Sequence, residues 1–464
     1  MATIPGHWIH MVGIAGAGMS GIARILFEQG FKVTGSDLQI NGTAQRLREM
    51  GIEVYEGHSS SNLKEGVDLL VVSSAIPEDN PEVNLALKRN IPVLKRGQML
   101  ACMVNNKKGI AVAGAHGKTT TTSMIYWVLR GCGIEPTFIV GGELQDGHIN
   151  ARLGNSDYFV VEADESDASF LEIFPYVAVV TNIEDDHLDF YGSIDNIKKA
   201  FVQFINQVRP EGFAVICGED KYIADIKHDI SVRTITYGEN SNHDYYIKNW
   251  HPKELGSVFE AYRKDVYLGQ VELSVPGKHN ALNAIAAIAV ALELGMDFAK
   301  AREEIKKFSG AKRRFQIKGE KFGIMVVDDY AHHPTEIRAT LAAAQNLKRE
   351  RVIAIFQPHR YSRTYKLWRE LGEAFSACDL AIFTEVYAAS EKPIPGVDGK
   401  LVYEAALGTG CNAVYLDSFK RIKKYLLENT RAGDLVLTIG AGDVWKIGEE
   451  FLSELESLAV KGIS

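Results

Sequence analysis

The sequence predicts an α/β protein of three consecutive α/β domains, on three observations. Short β-rich runs alternate with helical patterns through most of the chain, as in parallel sheets flanked by helices. Two glycine-rich turns, one near Gly16 and one near Gly114, each stand between an apolar strand pattern and a helical one. A chain of 464 residues also exceeds what one hydrophobic core holds.

The first series, from residue 7 to about 105, contains WIHMVGI, KVTGSD and DLLVVSSA. Gly16, Gly18 and Gly21 meet the G-x-G-x-x-G fingerprint, and Asp37 ends the second strand pattern. Residues 1–107 therefore read as a Rossmann-like domain that brings backbone N–H groups to a diphosphate. Taken alone, the fingerprint predicts an NAD(P)-dependent oxidoreductase. NNKK, Asn105 to Lys108, reads as a linker. In the central domain, 108–314, GIAVAGA, YFVVEADES, VAVVTNI and FAVICG are apolar runs followed by polar loops. SVRTITYG, DYYIKNW, SVFEAYR and QVELSVPG then read as extra antiparallel strands, and helices begin near His279 and Phe298. The polar stretch SGAKRRFQIKGEKFG marks the second boundary. The third domain, 315–464, runs through FGIMVVDDY, RVIAIFQP, LAIFTEVY, AVYLD and LVLTIGAG and is again Rossmann-like.

Bulk properties narrow the class. Net charge is −8, with 46% hydrophobic and 24% charged residues, which argues against a nucleic-acid partner held by a basic surface. Cys102, Cys132, Cys217, Cys378 and Cys411 are scattered and never in C-x-x-C spacing, as expected of reduced thiols in a cytoplasmic protein. The N-terminus enters a strand pattern directly, without signal-peptide regions, and the most apolar helix, LNAIAAIAVALELG, is too short to span a bilayer. No membrane partner is expected.

AGAHGKTTTT, Ala113 to Thr122, has the parts of an ATP phosphate loop. Gly114 and Gly117 permit a tight turn, Lys118 supplies a cation and Thr119 a hydroxyl for magnesium. Val112 stands where the strict motif has its first glycine, so a glycine turn before an ordinary helix is the plain alternative. FVVEADESDASF sets Glu162, Asp164, Glu165 and Asp167 at a strand end, where a magnesium would be held against phosphates. Not all four can be ligands. TNIEDDHLDFYGS gathers Asn182, Glu184, Asp185, Asp186 and His187, a loop histidine if alone and a metal ligand if beside the phosphate loop. In PGKHNALNAIAA, Asn280 and Asn283 either cap a helix or meet a base edge. In KRRF, Arg314 either reaches a γ-phosphate or forms a boundary salt bridge. VVDDYAHHPTEI and FQPHRYSRT bring Tyr330, His332, His333, His359, Arg360 and Arg363 to strand ends. The paired histidines lack i, i+4 spacing, so substrate contacts are favoured over metal.

GAGMSGIA, SSAIP, GAHGKTTTT, EADESD, TNIEDDHLD, PGKHNALN, RRF, DDYAHHPTEI, FQPHRYSRT, EVYAASEKPIPGV and GAGDV occur in the order found in the Mur ligases. The chain resembles that family, ATP-dependent enzymes that add amino acids to the nucleotide precursor of bacterial peptidoglycan, on which cell shape and division depend. The later stretches resemble the branch that joins L-alanine to UDP-N-acetylmuramate. The resemblance implies that the first domain binds UDP-sugar, not NAD, with Gly16, Ala17, Gly18, Met19 and Ser20 on the diphosphate and Asp37 and Ser74 near uridine. It implies ATP on Gly114, Ala115, His116, Gly117, Lys118, Thr119 and Thr120, with Asn280 and Asn283 near adenine and Arg314 on the γ-phosphate. Thr119 and Glu162 would hold one magnesium and His187 a second, making Lys118, His187 and Arg314 the catalytic set. Tyr330, His332, His333, Arg360 and Arg363 would line the amino-acid side, with the arginine that holds the alanine carboxylate and the base for the amine both left open. A monomer or weak homodimer is expected. Several relatives carry a carbamylated lysine where this chain has Phe201, and Tyr191 replaces the family's second histidine. The rival readings are a ligase that joins a preformed tripeptide to the same sugar nucleotide, and a nucleotide sensor without turnover.

Overall fold

The computed structural model describes residues 4–145, 149–253, 255–389 and 391–460. Its three sheets follow one another along the chain, as the sequence predicts. Two compact units result. The first comprises Met1–Asn249, Phe259–Glu272 and Leu282–Phe308; the second comprises Trp250–Val258, Leu273–Ala281 and Ser309–Ser464.

The first unit opens with a five-stranded parallel sheet in the order Glu53–Glu56, Lys32–Asp37, Trp8–Val12, Leu69–Val72, Val93–Lys95. The chain winds outward in both directions from Trp8–Val12, so a crevice opens between the ends of Trp8–Val12 and Leu69–Val72. A second, ten-stranded sheet is centred on Lys108–Ala113, with Tyr158–Glu162 and Val177–Val180 as parallel neighbours. Val177–Val180 is buried throughout, and so is Lys108–Ala113 after its first residue, because helices cover both faces.

Two sequence expectations are corrected here. The stretch SVRTITYG forms Thr234–Gly238, which pairs in parallel with Phe213–Cys217 because the helix Lys221–Ile226 carries the chain back across the sheet. Tyr245–Lys253, from DYYIKNW, likewise pairs in parallel with Thr234–Gly238, and the expected reversals come only after it, with Gly256–Arg263 and then Val266–Leu273 following as sheet neighbours across short connections. NNKK is not a linker. Asn105 closes the helix Arg96–Asn105, its side chain donates to Glu172 O at 2.9 Å and accepts from Phe174 N at 2.8 Å, and its carbonyl accepts from Arg209 at 2.6 Å. Those bonds tie the first two sheets into one unit.

The second unit is built on a six-stranded sheet, Gln316–Lys321, Ile324–Asp329, Asp434–Ile439, Arg351–Phe356, Leu380–Phe383, Ala413–Tyr415, parallel except for its first strand. Successive residues point to opposite faces. Val327, Ala354, Phe356 and Leu437 join one apolar cluster, while Val326, Ile353, Ile355 and Val436 join the other.

A buried carboxylate knits the first sheet together. Glu82, fully buried, accepts from His10 Nε2 at 2.9 Å, Ser36 Oγ at 2.7 Å, and Ser59 N and Asn62 Nδ2 at 3.0 Å each. Burial works to raise its pKa, but the bonds from His10, Ser36 and Asn62 hold it below the usual carboxylate value. A depressed pKa means that this stabilisation is present above the unfolded value and is lost as pH falls through the folded one. Glu82→Ala leaves four donors without their acceptor and is expected to cost about 3 kcal/mol, read as a lowered urea midpoint at pH 7.

Candidate active site

Gly16 caps the helix Ala17–Glu28 without a side-chain bond, and no acidic residue sits in the first turn. Backbone N–H groups of that turn therefore stay available to an anion. Gly16, Ala17, Gly18 and Met19 line a cavity of about 300 Å³ together with Ser74, from the end of the neighbouring strand. Arg96 lines it too, 2.8 Å from Asp164, and a Cβ on Gly18 would stand 3.2 Å from the Arg96 stem. Asp37 and Ser20 are not among the residues that line this cavity. Asp37 accepts from Ala15 N at 2.9 Å and so braces the loop, while the Ser20 hydroxyl bonds Ala17 O and Asn150.

The second glycine turn follows Lys108–Ala113. Gly114 has φ +138° and Gly117 φ +81°, conformations that disfavour a side chain. The His116 peptide is clamped by Asn182, whose Oδ1 accepts from His116 N at 2.8 Å and whose Nδ2 donates to His116 O at 3.0 Å; Thr181 Oγ1 adds a bond to the same oxygen at 2.6 Å. Lys118 and Thr119 begin the helix Lys118–Gly131, with Thr120 buried behind them. Lys118 Nζ donates to Gly114 O and Ala115 O, and to Glu165 Oε1 at 2.7 Å. Burial opposes the ammonium, yet the carboxylates of Glu165 and Glu162 outweigh it and raise the Lys118 pKa.

Thr119 Oγ1 donates to Glu162 Oε2 at 3.0 Å, bringing the loop hydroxyl and the first acidic strand end together. Glu165 keeps one buried oxygen, Oε2, without a hydrogen-bond partner among the described residues. His187 has φ +59°, and its Nε2 lies 3.6 Å from Asp186 and 4.0 Å from Glu165 Oε1. Tyr191 donates to Glu165 O at 2.6 Å, and Phe201 is core, packed edge-on against Phe170. His116 Nε2 meets Glu184 at 3.1 Å. Both asparagines lie on the helix Lys278–Glu293: Asn283 Oδ1 would be 3.1 Å from a Cβ on Gly117, whereas Asn280 donates to Pro276 O at 2.7 Å.

In the second unit, strand ends again converge. Arg314 sits between Arg313 at φ +58° and Phe315 at φ +47°. Two carboxylates hold this bend: Asp329 accepts from Phe315 N at 2.7 Å, and Asp328 pairs with Arg313 at 3.1 Å. Arg314 approaches Glu336 at 3.4 Å and lies over the Tyr330 ring at 5.4 Å. His332 Nδ1 is 3.0 Å from Tyr330 O, which only accepts, so the proton sits on Nδ1 and Nε2 carries the lone pair. His332 and His359 lie 5.9 Å apart, His359 stacks on Tyr387, and His333 caps the helix Pro334–Asn346. Arg360 caps the helix Tyr361–Glu373 at φ +67° and ψ 137°, a region costly for any side chain, and Arg363 follows in its first turn.

Residues 8–108, 112–291 and 313–442 match, in order, the Mur ligase family catalytic domain, the Mur ligase middle domain and the Mur ligase glutamate ligase domain. Over 464 residues the chain is 59% identical to the UDP-N-acetylmuramate–L-alanine ligase of Syntrophomonas wolfei, covering 99% of this chain and all of that protein. The chain belongs to the Mur ligase family. This Mur ligase is also 49% identical to the UDP-N-acetylmuramate–L-alanine ligase of Desulforamulus reducens, over 97% of this chain and 98% of that one. Its fold superposes on the crystal structure of a UDP-N-acetylmuramate–alanine ligase from Thermotoga maritima with a TM-score of 0.84 at 30% identity, covering 97% and 99% of the two chains. Against a murein peptide ligase from Psychrobacter arcticus the TM-score is 0.71 at 27% identity, with the same coverage.

Sequence reasoning missed Arg96 altogether; a basic residue just beyond a strand end, in LKRG, was the available signal. It also missed the pairing of Glu165 with Lys118, which lie 47 positions apart.

The titrating groups of the second unit set its acid response. Burial and the nearby Arg363 push His332 down to about 4, against the pull of Glu336; burial, His332 and the arginines push His359 down to about 3. Unfolded histidine protonates near 6.5, so unfolding takes up protons below that pH and stability falls. Asp329, raised by burial to about 6, works the other way and offsets part of the loss. Urea midpoints are expected to drop between pH 7 and 5, and Asp329→Asn to steepen that drop, each uncompensated histidine contributing about 1.4 kcal/mol per pH unit at most.

Proposed function

We propose that this Mur ligase joins L-alanine to the lactyl carboxylate of UDP-N-acetylmuramate, with ATP cleaved to ADP and phosphate, by way of an acyl phosphate. The observation that carries the reading is the meeting of Lys118, Thr119 and Glu162 at adjoining strand and helix ends, in a chain so close to alanine ligases over its whole length. A carboxylate is a poor electrophile. Phosphorylation of the lactyl carboxyl creates a leaving group, and attack by the alanine amine gives a tetrahedral intermediate that expels phosphate.

The diphosphate of the sugar nucleotide is assigned to the N–H groups at Ala17–Met19, with Arg96 as a further cation at the same cavity. Lys118 is assigned to the β- and γ-phosphates of ATP, Asn283 to the base end and Arg314 to the γ-phosphate. Thr119 Oγ1 and Glu162 Oε2 are hard oxygen donors 3.0 Å apart, which fits a magnesium ion. Bound there, the ion would neutralise phosphate charge as it is transferred. A second magnesium is assigned to His187, with no help from Phe201. His332, with its free Nε2, and Arg360 or Arg363 are assigned to the amine and carboxylate of L-alanine. In such a site alignment and charge stabilisation do most of the chemistry.

Among the described residues no helix is long and apolar enough to cross a membrane. The likeness to a murein peptide ligase makes a tripeptide the alternative acceptor. Purified protein with Mg-ATP and UDP-N-acetylmuramate is expected to release phosphate when L-alanine is added and to yield the mass of the alanyl product. Release with the ready-made tripeptide alone would sink the alanine assignment. Lys118→Met is expected to lower kcat by about a thousandfold, measured by the same phosphate release.

A further inference from the structure

At the edge of the third sheet opposite the proposed amino-acid site, two cysteines come together. Cys378 and Cys411 precede Leu380–Phe383 and Ala413–Tyr415, parallel neighbours in register at Ala381 and Ala413. Parallel strands begin at the same edge, so the two loops run side by side at the edge opposite the one bearing Tyr330 and Arg360. The carbonyl of Phe375 is the common acceptor for both thiols, Cys378 Sγ at 3.1 Å and Cys411 Sγ at 3.5 Å, which sets the two sulfurs side by side. The backbone around them is pinned: Asn412 Nδ2 donates to Asp379 O and Ala381 N to Asn412 O, both at 2.9 Å, and Cys411 N to Ala406 O at 3.2 Å. Both cysteines are half-buried. Cys102, Cys132 and Cys217 lie in the first unit, on other elements.

We propose that Cys378 and Cys411 are a redox-active dithiol that low-molecular-weight disulfides convert to an intramolecular disulfide. Cys411 is the attacking group, because the neighbouring Cys378 thiol holds it below the ordinary pKa, while Cys411 and burial push Cys378 up. The Cys411 thiolate attacks one sulfur of R–S–S–R and expels RS⁻. Cys378 then gives up its proton, attacks Cys411 Sγ and expels the second RS⁻. Two protein thiols are oxidised, one external disulfide is reduced to two thiols, and the balance closes. The new bond closes the loop from Cys378 to Cys411. That loop includes Glu391, which holds Ser362 N at 3.0 Å and Ser362 Oγ at 2.6 Å at the start of the helix that carries Arg363.

The test treats the full-length protein with oxidised glutathione and reads intact mass and tryptic peptides. Wild type is expected to lose two hydrogens and to give one cross-linked peptide pair joining Cys378 to Cys411. Under the same conditions Cys378→Ser is expected to trap one glutathionyl group on Cys411, and Cys411→Ser to leave Cys378 free. The oxidised wild type is expected to melt at a higher temperature than its reduced form, because the unfolded chain is constrained. Stable glutathionylation of both cysteines in wild type, or five unmodified thiols after treatment, would overturn the proposal.

Discussion

The backbone at Gly114 runs so close to the next strand end that an added Cβ would stand 2.1 Å from Thr181 Oγ1 and 3.0 Å from Asn182 N. That closeness fixes the geometry of the first unit's chemical centre. Because the two segments nearly touch, the Asn182 amide reaches both polar atoms of the His116 peptide, and Thr181 reaches its carbonyl a second time. A loop held in this way has little freedom left, and Lys118 and Thr119 emerge in one direction. Glu162, on the other flank of the central strand, then meets the Thr119 hydroxyl without any adjustment of the sheet.

Charge balance is handled locally. Lys118 is taken up by Glu165 and by two carbonyls of its own loop, so the loop cation is never a bare buried charge. On the proposed reading, a phosphate oxygen reaches Lys118 by exchange with Glu165 or with one of the two loop carbonyls. Arg96 and Asp164 repeat the arrangement at the neighbouring cavity. Both sites pair a cation with an acid from the same loop, residues 164 and 165, which makes that short segment the common counter-charge of the two.

Much of this was legible in the sequence because the signals are local. Glycines between an apolar run and a helix, a lysine and threonine directly after, and acids at the ends of apolar runs all report contacts made within a few residues. Three sheets and both phosphate-type turns followed from them. What stayed hidden depends on partners far apart in sequence. Asp37 fits the fingerprint's acidic position, and its bond to Ala15 N is one that only the folded loop reveals. NNKK has the composition of a linker, but its first asparagine is knitted to Glu172 and Phe174. Alternation in SVRTITYG announces a strand and says nothing of its direction, which the preceding crossover helix decides. Arg96 needed Asp164, 68 positions away, to become visible.

The bend around Arg314 has a consequence for how the protein comes into being. Arg313 and Phe315 adopt left-handed conformations that bulky residues resist, and they are kept there by Asp328 and Asp329, the last two residues of a central strand of the third sheet. The arginine cannot take up its direction until that strand has been laid down between its neighbours. During synthesis, therefore, a chain whose first unit has already closed still lacks the correctly aimed arginine. On the proposed reading, an unfinished molecule is prevented from hydrolysing ATP to no purpose, and competence to transfer phosphate arrives only with the completed C-terminal sheet.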